Sequence, residues 1–264
     1  VLILSDTHHG KKIVDERGEV QYDQIIAKRR IEQIGDQLVE ACLTSSRKID
    51  EIVVAMAGDL VDNEIIYDGQ TYNIDDPLLK QMQHVTVDIW EGILLKAAKT
   101  LDIPVSAYGV AGNHARTGHK NSSKMSNWDN VVYNNLQLMA DMARTHGITD
   151  KISVSFSLES YNNFIIRGWK FHMRHSGPRQ IETPAMSDKI GGWYKTHKMD
   201  AMLYGHNHHP ATFDWNGLPI IMSGCVCGPD DYAEELAADG DPNQWMLDVN
   251  DLRPVTRFEL LHLE

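Results

Sequence analysis

The stretch Glu51-Ile52-Val53-Val54-Ala55-Met56-Ala57-Gly58-Asp59-Leu60-Val61-Asp62-Asn63 decides how the chain is read. Glu51 to Ala57 is the kind of continuous apolar run made by a strand buried on both faces. It ends at once in Gly58-Asp59, which sets a carboxylate just past the strand. The same construction recurs along the chain. Val1 to Ser5 runs into Asp6-Thr7-His8, and Pro104 to Ala111 into Gly112-Asn113-His114. Phe164 to Arg167 and Trp169 to His175 flank Gly168 like a hairpin or sharp bend, the second run delivering His175. Asp200 to Tyr204 runs into Gly205-His206-Asn207-His208, and Pro219 to Ser223 follows as a further strand.

Between these strands lie two helical patterns. Ile31, Ile34, Leu38, Val39 and Cys42 recur at helical spacing between Gln24 and Thr44, and Val85, Ile89, Ile93 and Ala97 mark a helix over about 78 to 99. Strands alternate with helices in the first half and predominate in the second. This predicts an α/β fold of two packed mixed β-sheets flanked by helices, in one domain over 1–264. The polar segments 62–77 and 115–128 are expected to lie over the functional site as long loops.

A chain of 264 residues, 42% hydrophobic and 23% charged, has the composition of a soluble globular protein and can bury one large core. Its formal charge of −12 advertises no broad basic face for nonspecific nucleic-acid binding. A nuclease is still compatible, because bound divalent cations would add local positive charge and their carboxylate ligands count in the total. There is no run of about 18 apolar residues and no leader pattern, so a cytoplasmic protein without membrane contact is expected. Cys42, Cys225 and Cys227 are too few for a disulfide framework and lack the usual zinc spacing, so they read as buried thiols. A start methionine is expected ahead of Val1, and Leu263-Glu264 reads as an appended tail.

Five polar groups thus stand at strand C-terminal ends: Asp6 with His8, Asp59, Asn113 with His114, His175, and His206 with His208. In open α/β sheets ligands bind outside those ends, where separate strands can bring side chains to one point. Imidazoles, carboxylates and an amide oxygen suit Mn, Fe, Zn or Ni. Residues i and i+2 on an extended strand end point the same way, so Asp6 with His8 and His206 with His208 are expected to face one cluster as pairs.

The set Asp6-x-His8, Gly58-Asp59-x-x-Asp62, Gly112-Asn113-His114, His175 and Gly205-His206-x-His208 resembles the calcineurin-like metallophosphoesterase family, in the family's order and spanning residues 6 to 208. The resemblance implies an αββα sandwich and two divalent ions, manganese first. It implies that Asp6, His8, Asp59 and His208 hold one ion, that Asp59, Asn113, His175 and His206 hold the other, and that a shared hydroxide attacks phosphorus. His114 would then assist the leaving oxygen, and Asp62 would orient a ligand. One departure is plain: the family carries an acidic residue after Gly-Asn-His, and this chain has Ala115. Another carboxylate is expected to steady His114 in its place, or the histidine runs looser.

The remaining histidines read as ordinary hydrogen-bonded surface residues, among them His9, His84, His119, His146, His197 and His262. His172 rivals His175, which is favoured because Ser176-Gly177 turns the chain out of the sheet there. Arg116, Lys120 and Lys124 with Trp128 read equally well as one wall of a nucleic-acid channel or as a solvated loop. Trp193-Tyr194-Lys195, on a helix opened by Thr183-Pro184, reads as core packing. Asp230, Asp231 and Tyr232 receive no catalytic role.

Gly58 to Asn63 is similar to SbcD-type repair nucleases, and Gly112 to Asn130 and Ser223 to Gln244 look like phage-encoded members grouped with them. Too few residues follow His208 for the separate capping domain of the repair enzymes. The expectation is a compact DNA exo- or endonuclease in a bacterial or phage-infected cell, acting alone or as a homo-oligomer. The alternative is a small-molecule phosphodiesterase or phosphomonoesterase. A metal-binding scaffold without turnover is favoured only by Ala115.

Overall fold

The computed structural model describes residues 1–118, 123, 125–178, 183–229 and 240–264. His119, Lys120 and Lys124 of the polar loop after His114, and Asp230, Asp231 and Tyr232, lie outside these residues.

Strands β1 (Leu2–Leu4), β4 (Ile52–Met56), β5 (Val105–Val110) and β6 (Ile152–Ser157) run parallel in that spatial order. Beyond β1 the sheet continues antiparallel through β12 (Asn243–Asn250) and β13 (Arg253–His262). The second sheet has β8 (Trp169–Met173), β9 (Ala201–Tyr204) and β11 (Leu218–Met222) in parallel, with β7 (Asn162–Ile166) and β10 (Ala211–Trp215) antiparallel at its edges. A small hairpin, β2 (Ile13–Val14) with β3 (Val20–Tyr22), lies apart.

Strand parity sorts the side chains into layers, since successive residues point to opposite faces. Ile3, Val53, Ala55 and Val110 of the first sheet meet Phe171, Met173, Ala201, Leu203 and Ile221 of the second in one inter-sheet core. Leu2, Leu4, Ile52, Val54, Met56, Val105 and Ala107 point the other way, into a core shared with helices α1 (Gln24–Thr44), α2 (Leu78–Ile89), α3 (Lys96–Leu101) and α4 (Trp128–Thr145). On the outer face of the second sheet, Met202, Tyr204, Ile220 and Met222 pack with Ile190 of α5 (Pro184–His197). The layering is helix, sheet, sheet, helix, the α/β architecture expected, and burial on both faces is why the strands read as unbroken apolar runs.

Several elements go beyond the sequence reading. Helix α4 buries Val132, Tyr133, Leu136, Ala140 and Ala143, a helical pattern that begins inside a loop-like segment. Strands β6, β12 and β13 complete the first sheet. Leu263, read as part of an appended tail, is 5% exposed and packs in the helix-side core, and the carbonyl of Glu264 accepts from Arg29 on α1. Thr183-Pro184 opens α5 as expected, and Trp193 packs against the outer core with the Arg174 guanidinium 4.2 Å above its ring. Among the described residues, no helix is long and apolar enough to cross a membrane.

The helix expected over 78–99 runs on to Leu101, with a π-helical segment, Trp90–Leu95, between α2 and α3. Here the helix meets α1 at two glycines. A Cβ on Gly35 would lie 1.8 Å from the carbonyl oxygen of Gly92, so the two backbones touch where no side chain fits. A backbone carbonyl cannot rotate away, and over-packing of this kind costs about 1–3 kcal/mol. Gly35→Ala is therefore expected to lower the unfolding free energy by that much, read as a lower urea midpoint, with the far-ultraviolet spectrum retained. An unchanged midpoint would mean that the helices separate freely.

Candidate metal centre

Parallel pairing puts strand ends side by side. The registers Leu4 with Met56 and Met56 with Gly109 bring the exits of β1, β4 and β5 together, and Met173 with Leu203 does the same for β8 and β9. The segments that leave them are stitched by backbone bonds: Asp6 N donates to Gly58 O at 3.0 Å, His8 N to Asp59 O at 3.1 Å, and Asp62 N to His9 O at 3.0 Å. Gly58, at φ 90°, is the point where two loops touch, for a Cβ there would sit 2.5 Å from the amide nitrogen of Gly112.

The expectation that Asp6 with His8, and His206 with His208, lie on extended backbone is corrected. Asp6, His8, Asp59, His206 and His208 have φ of 54°, 45°, 52°, 72° and 55°, in the left-handed region. The chain curls as it leaves each strand, and that curl aims the side chains. Asp, Asn and His are the non-glycine residues that tolerate this conformation best.

The side chains gather into two groups. His8 Nε2 is 3.0 Å from His208 Nε2, and Asp6 Oδ1, buried without a hydrogen bond, is 3.5 Å from His208 Nε2. His175 Nε2 stands 2.9 Å from Asn113 Oδ1, 3.0 Å from Asp59 Oδ2 and 3.1 Å from His206 Nδ1. Asp6, His8 and His208, and likewise Asp59, His175 and His206, present ligand atoms within 4.8 Å of one another and could each hold an ion. Ligands at right angles about an ion with bonds of about 2.1 Å lie about 3.0 Å apart, so the N···N and N···O spacings fit metal coordination. The orphaned Asp6 oxygen fits it too. All seven expected metal residues thus fall in these two groups. Asp59 sits with the second, its Oδ1 accepting from the His114 amide at 2.7 Å.

Asp62 answers the departure at position 115. Its Oδ1 is 3.0 Å from His8 Nδ1 and 3.2 Å from His114 Nδ1, so one buried carboxylate holds both rings. Ala115 itself is buried in the helix-side core, away from any ionic role. Gln70 donates to the other Asp62 oxygen at 2.9 Å.

Burial works against the charges here, and the partners reverse it. His175 rises to about 9 against its own desolvation because Asp59 stands beside it. His208 rises to about 9 through Asp6. Desolvation also opposes both carboxylates, yet His208 holds Asp6, and His175 holds Asp59, below the usual carboxylate range. Burial and then the charge of His114 press His8 down to about 4, and burial followed by His175 lowers His206. Asp62 lies well below the usual range, its desolvation outweighed by His114 and His8.

Asp129 was missed by the sequence reading. It is fully buried, and its carboxylate accepts from the amides of Asp59 at 3.0 Å, Leu60 at 3.0 Å and Gly112 at 2.8 Å. Burial, and then the nearby Asp59, raise it to about 7. In sequence it is an ordinary acid in the first turn of a helix, and no local signal separates it from others of that kind.

His172 points away from the centre, bonded to Asn163 at 2.8 Å and stacked with Tyr161 and His197. His9 is a correction: it is fully buried between Thr7 and Asp88 rather than on the surface. Arg116 folds back on the carbonyls of Asn113 and Ile66 at 3.2 and 3.4 Å, and Trp128 starts α4 with its amide on Ala115 O. Cys225 and Cys227 are buried as expected, whereas Cys42 on α1 is only half-buried.

The family described as calcineurin-like phosphoesterase matches residues 1–210. No curated protein matches the chain. Among solved structures, an archaeal phosphodiesterase superposes with a TM-score of 0.47 at 14% identity, over 99% of this chain and 98% of that one. Vps29 from Entamoeba histolytica, complexed with zinc, does so with a TM-score of 0.39 at 13% identity, over 99% and 97%.

Two outcomes follow from the site. His175 and His208 both bind protons more tightly folded, at about 9, than the ordinary 6.5. Their contribution to the metal-free protein is fully present below about pH 6.5 and lost as pH rises through about 9. Denaturant midpoints in chelator should therefore fall between pH 6.5 and 9, and saturating metal should reverse the slope, because an ion needs these imidazoles deprotonated. A metal-free midpoint that rises over that window contradicts the paired imidazoles. Asp129→Asn leaves one oxygen and an NH2 facing three amide donors, so about 1–3 kcal/mol of stability should go, together with metal affinity. Calorimetric titration with manganese measures the second loss.

Proposed function

The chain belongs to the calcineurin-like phosphoesterase family and is a metal-dependent phosphoesterase; from that premise we propose that it is a dinuclear phosphodiesterase acting on DNA as an exo- or endonuclease. The observation that supports the chemistry best is the convergence of seven donors from five strand exits at spacings near 3 Å. Asp6, His8, Asp59 and His208 would hold one ion, and Asp59, Asn113, His175 and His206 the other, with Asp59 shared. Manganese suits this thiolate-free mixture of nitrogen and oxygen donors, and Fe, Zn or Ni are the other candidates. When bound, the pair supplies an acidified water as nucleophile near neutral pH and positive charge for the phosphoryl oxygens.

The chain's own residues do the rest. Asp62 fixes His114 through Nδ1, which leaves Nε2 as the nitrogen to meet the leaving oxygen. In the metal-free protein His114 is raised despite its burial, chiefly by Asp59 and then Asp62, the direction that favours the protonated ring of a general acid. The same Asp62 oxygen orients His8 from behind, so acid and ligand are set by one group.

For DNA, the support is the likeness of Gly58 to Asn63 to SbcD-type nucleases and the character of the loop that follows. That loop starts at Asp62, beside His114, and carries Tyr67 and Tyr72, 42% and 89% exposed, where bases could stack. We place the substrate in the cytoplasm of a bacterial or phage-infected cell, with the whole chain as the catalytic domain, alone or as a small homo-oligomer. The second reading, a small-molecule phosphodiesterase or phosphomonoesterase, is favoured by the charge of −12 and by Arg116, whose guanidinium is spent on the carbonyls of Asn113 and Ile66.

The test is hydrolysis by manganese-loaded protein of bis-p-nitrophenyl phosphate, p-nitrophenyl phosphate, and labelled single- and double-stranded DNA. Diester and DNA should be cut, with His114→Ala lowering kcat by about 10²–10⁴ and Asp59→Asn failing to load metal. Turnover of only the monoester or a small nucleotide selects the second reading. Bound metal with no turnover of any substrate returns the scaffold.

A further inference from the structure

Beside the two groups lies a further one whose two thiols the phosphoesterase chemistry does not use. His208, Cys225 and Cys227 present a ring nitrogen and two sulfurs within 4.8 Å of one another. Both cysteines are 1–2% exposed and free, and both thiols approach the carbonyl oxygen of Gly228, at 3.7 and 3.5 Å. They are carried by the turn after β11, which is pinned to the centre by the amide of Val226 on Asp6 O at 3.0 Å. Cys-x-Cys is an unusual zinc spacing in sequence, but the fold supplies the missing nitrogen from a distant strand exit.

We propose that His208, Cys225 and Cys227 form a site for a thiophilic divalent ion of the zinc class, overlapping the catalytic centre at His208. Two thiolates and an imidazole are a zinc donor set, and tetrahedral donors at zinc bond lengths lie about 3.6–3.8 Å apart, so the three side chains need close by little more than 1 Å. On binding, each sulfur that takes the ion releases its proton to solvent. His208 also belongs to the group with Asp6 and His8, so the ion on the thiols competes for a ligand of the catalytic centre. A site of this kind makes the enzyme sensitive to excess zinc or cadmium while manganese, which avoids sulfur, is untouched. This inference does not depend on what the substrate is.

Cadmium added to the reduced, metal-free protein tests it, read by thiolate-to-cadmium charge-transfer absorption, which ions held only by Asp and His do not give. The band should appear in the natural chain and vanish in Cys225→Ser/Cys227→Ser. No band in the natural chain overturns the proposal, and that arm does not depend on how the variant folds. A band of undiminished height in the double variant also overturns it, since the sulfur would then be Cys42. A second readout uses the manganese-loaded enzyme: the zinc concentration for half inhibition should rise at least about tenfold in the double variant. Equal inhibition would show that zinc acts elsewhere.

Discussion

One buried carboxyl group holding three backbone amides: Asp129 is the joint on which the centre is built. It accepts from Asp59, Leu60 and Gly112, and so clamps the exit of β4 to the exit of β5 from the first turn of α4. Amides at the ends of parallel strands have no ladder partner, and leaving them buried and unpaired would cost more than any single surface contact returns. A carboxylate can accept several at once. Its position on a helix that packs across the sheet ties the loops to the rigid part of the molecule.

How much of this could be read from the chain depends on how local each signal is. Gly58-Asp59, Gly112-Asn113-His114 and Gly205-His206 were legible because each couples an apolar run to a polar residue within a few positions. The layers were legible for the same reason, since a strand buried on both faces has no polar alternation. In sequence His175 is preferred to His172 for the turn at Ser176-Gly177, and strand parity in the structure separates the two in the same way: Phe171 and Met173 face the inter-sheet core, so His172 between them faces outward, while His175 lies past the strand end. The curl at Asp6, His8 and His206 could not be read, because Asp and His tolerate the left-handed region without requiring it. Asp129, the burial of His9 against Asp88 and the company His208 keeps with two thiols all depend on pairs far apart in sequence.

The alanine at 115 shows how a missing charge can be a matter of geometry. Its side chain lies in the apolar layer under the helices, where a carboxylate would be buried among hydrocarbon. The ring of His114 instead meets Asp62, which it shares with His8. Sharing has a consequence for the two rings: they stand edge to face, 4.5 Å between centroids, and any movement of Asp62 disturbs a ligand and the acid together.

The left-handed turns also limit what evolution or engineering can do with this centre. At five positions the backbone restricts the side chain before any metal does, and the residues it tolerates best are Asp, Asn and His. Glutamate and cysteine, equally good donors, are disfavoured there by conformation alone. Drift toward softer or harder ions is therefore channelled away from Asp6, His8, Asp59, His206 and His208. It falls instead to Asn113 and His175, whose backbone is ordinary, so a change of ion preference in such a centre must pass through a narrow gate.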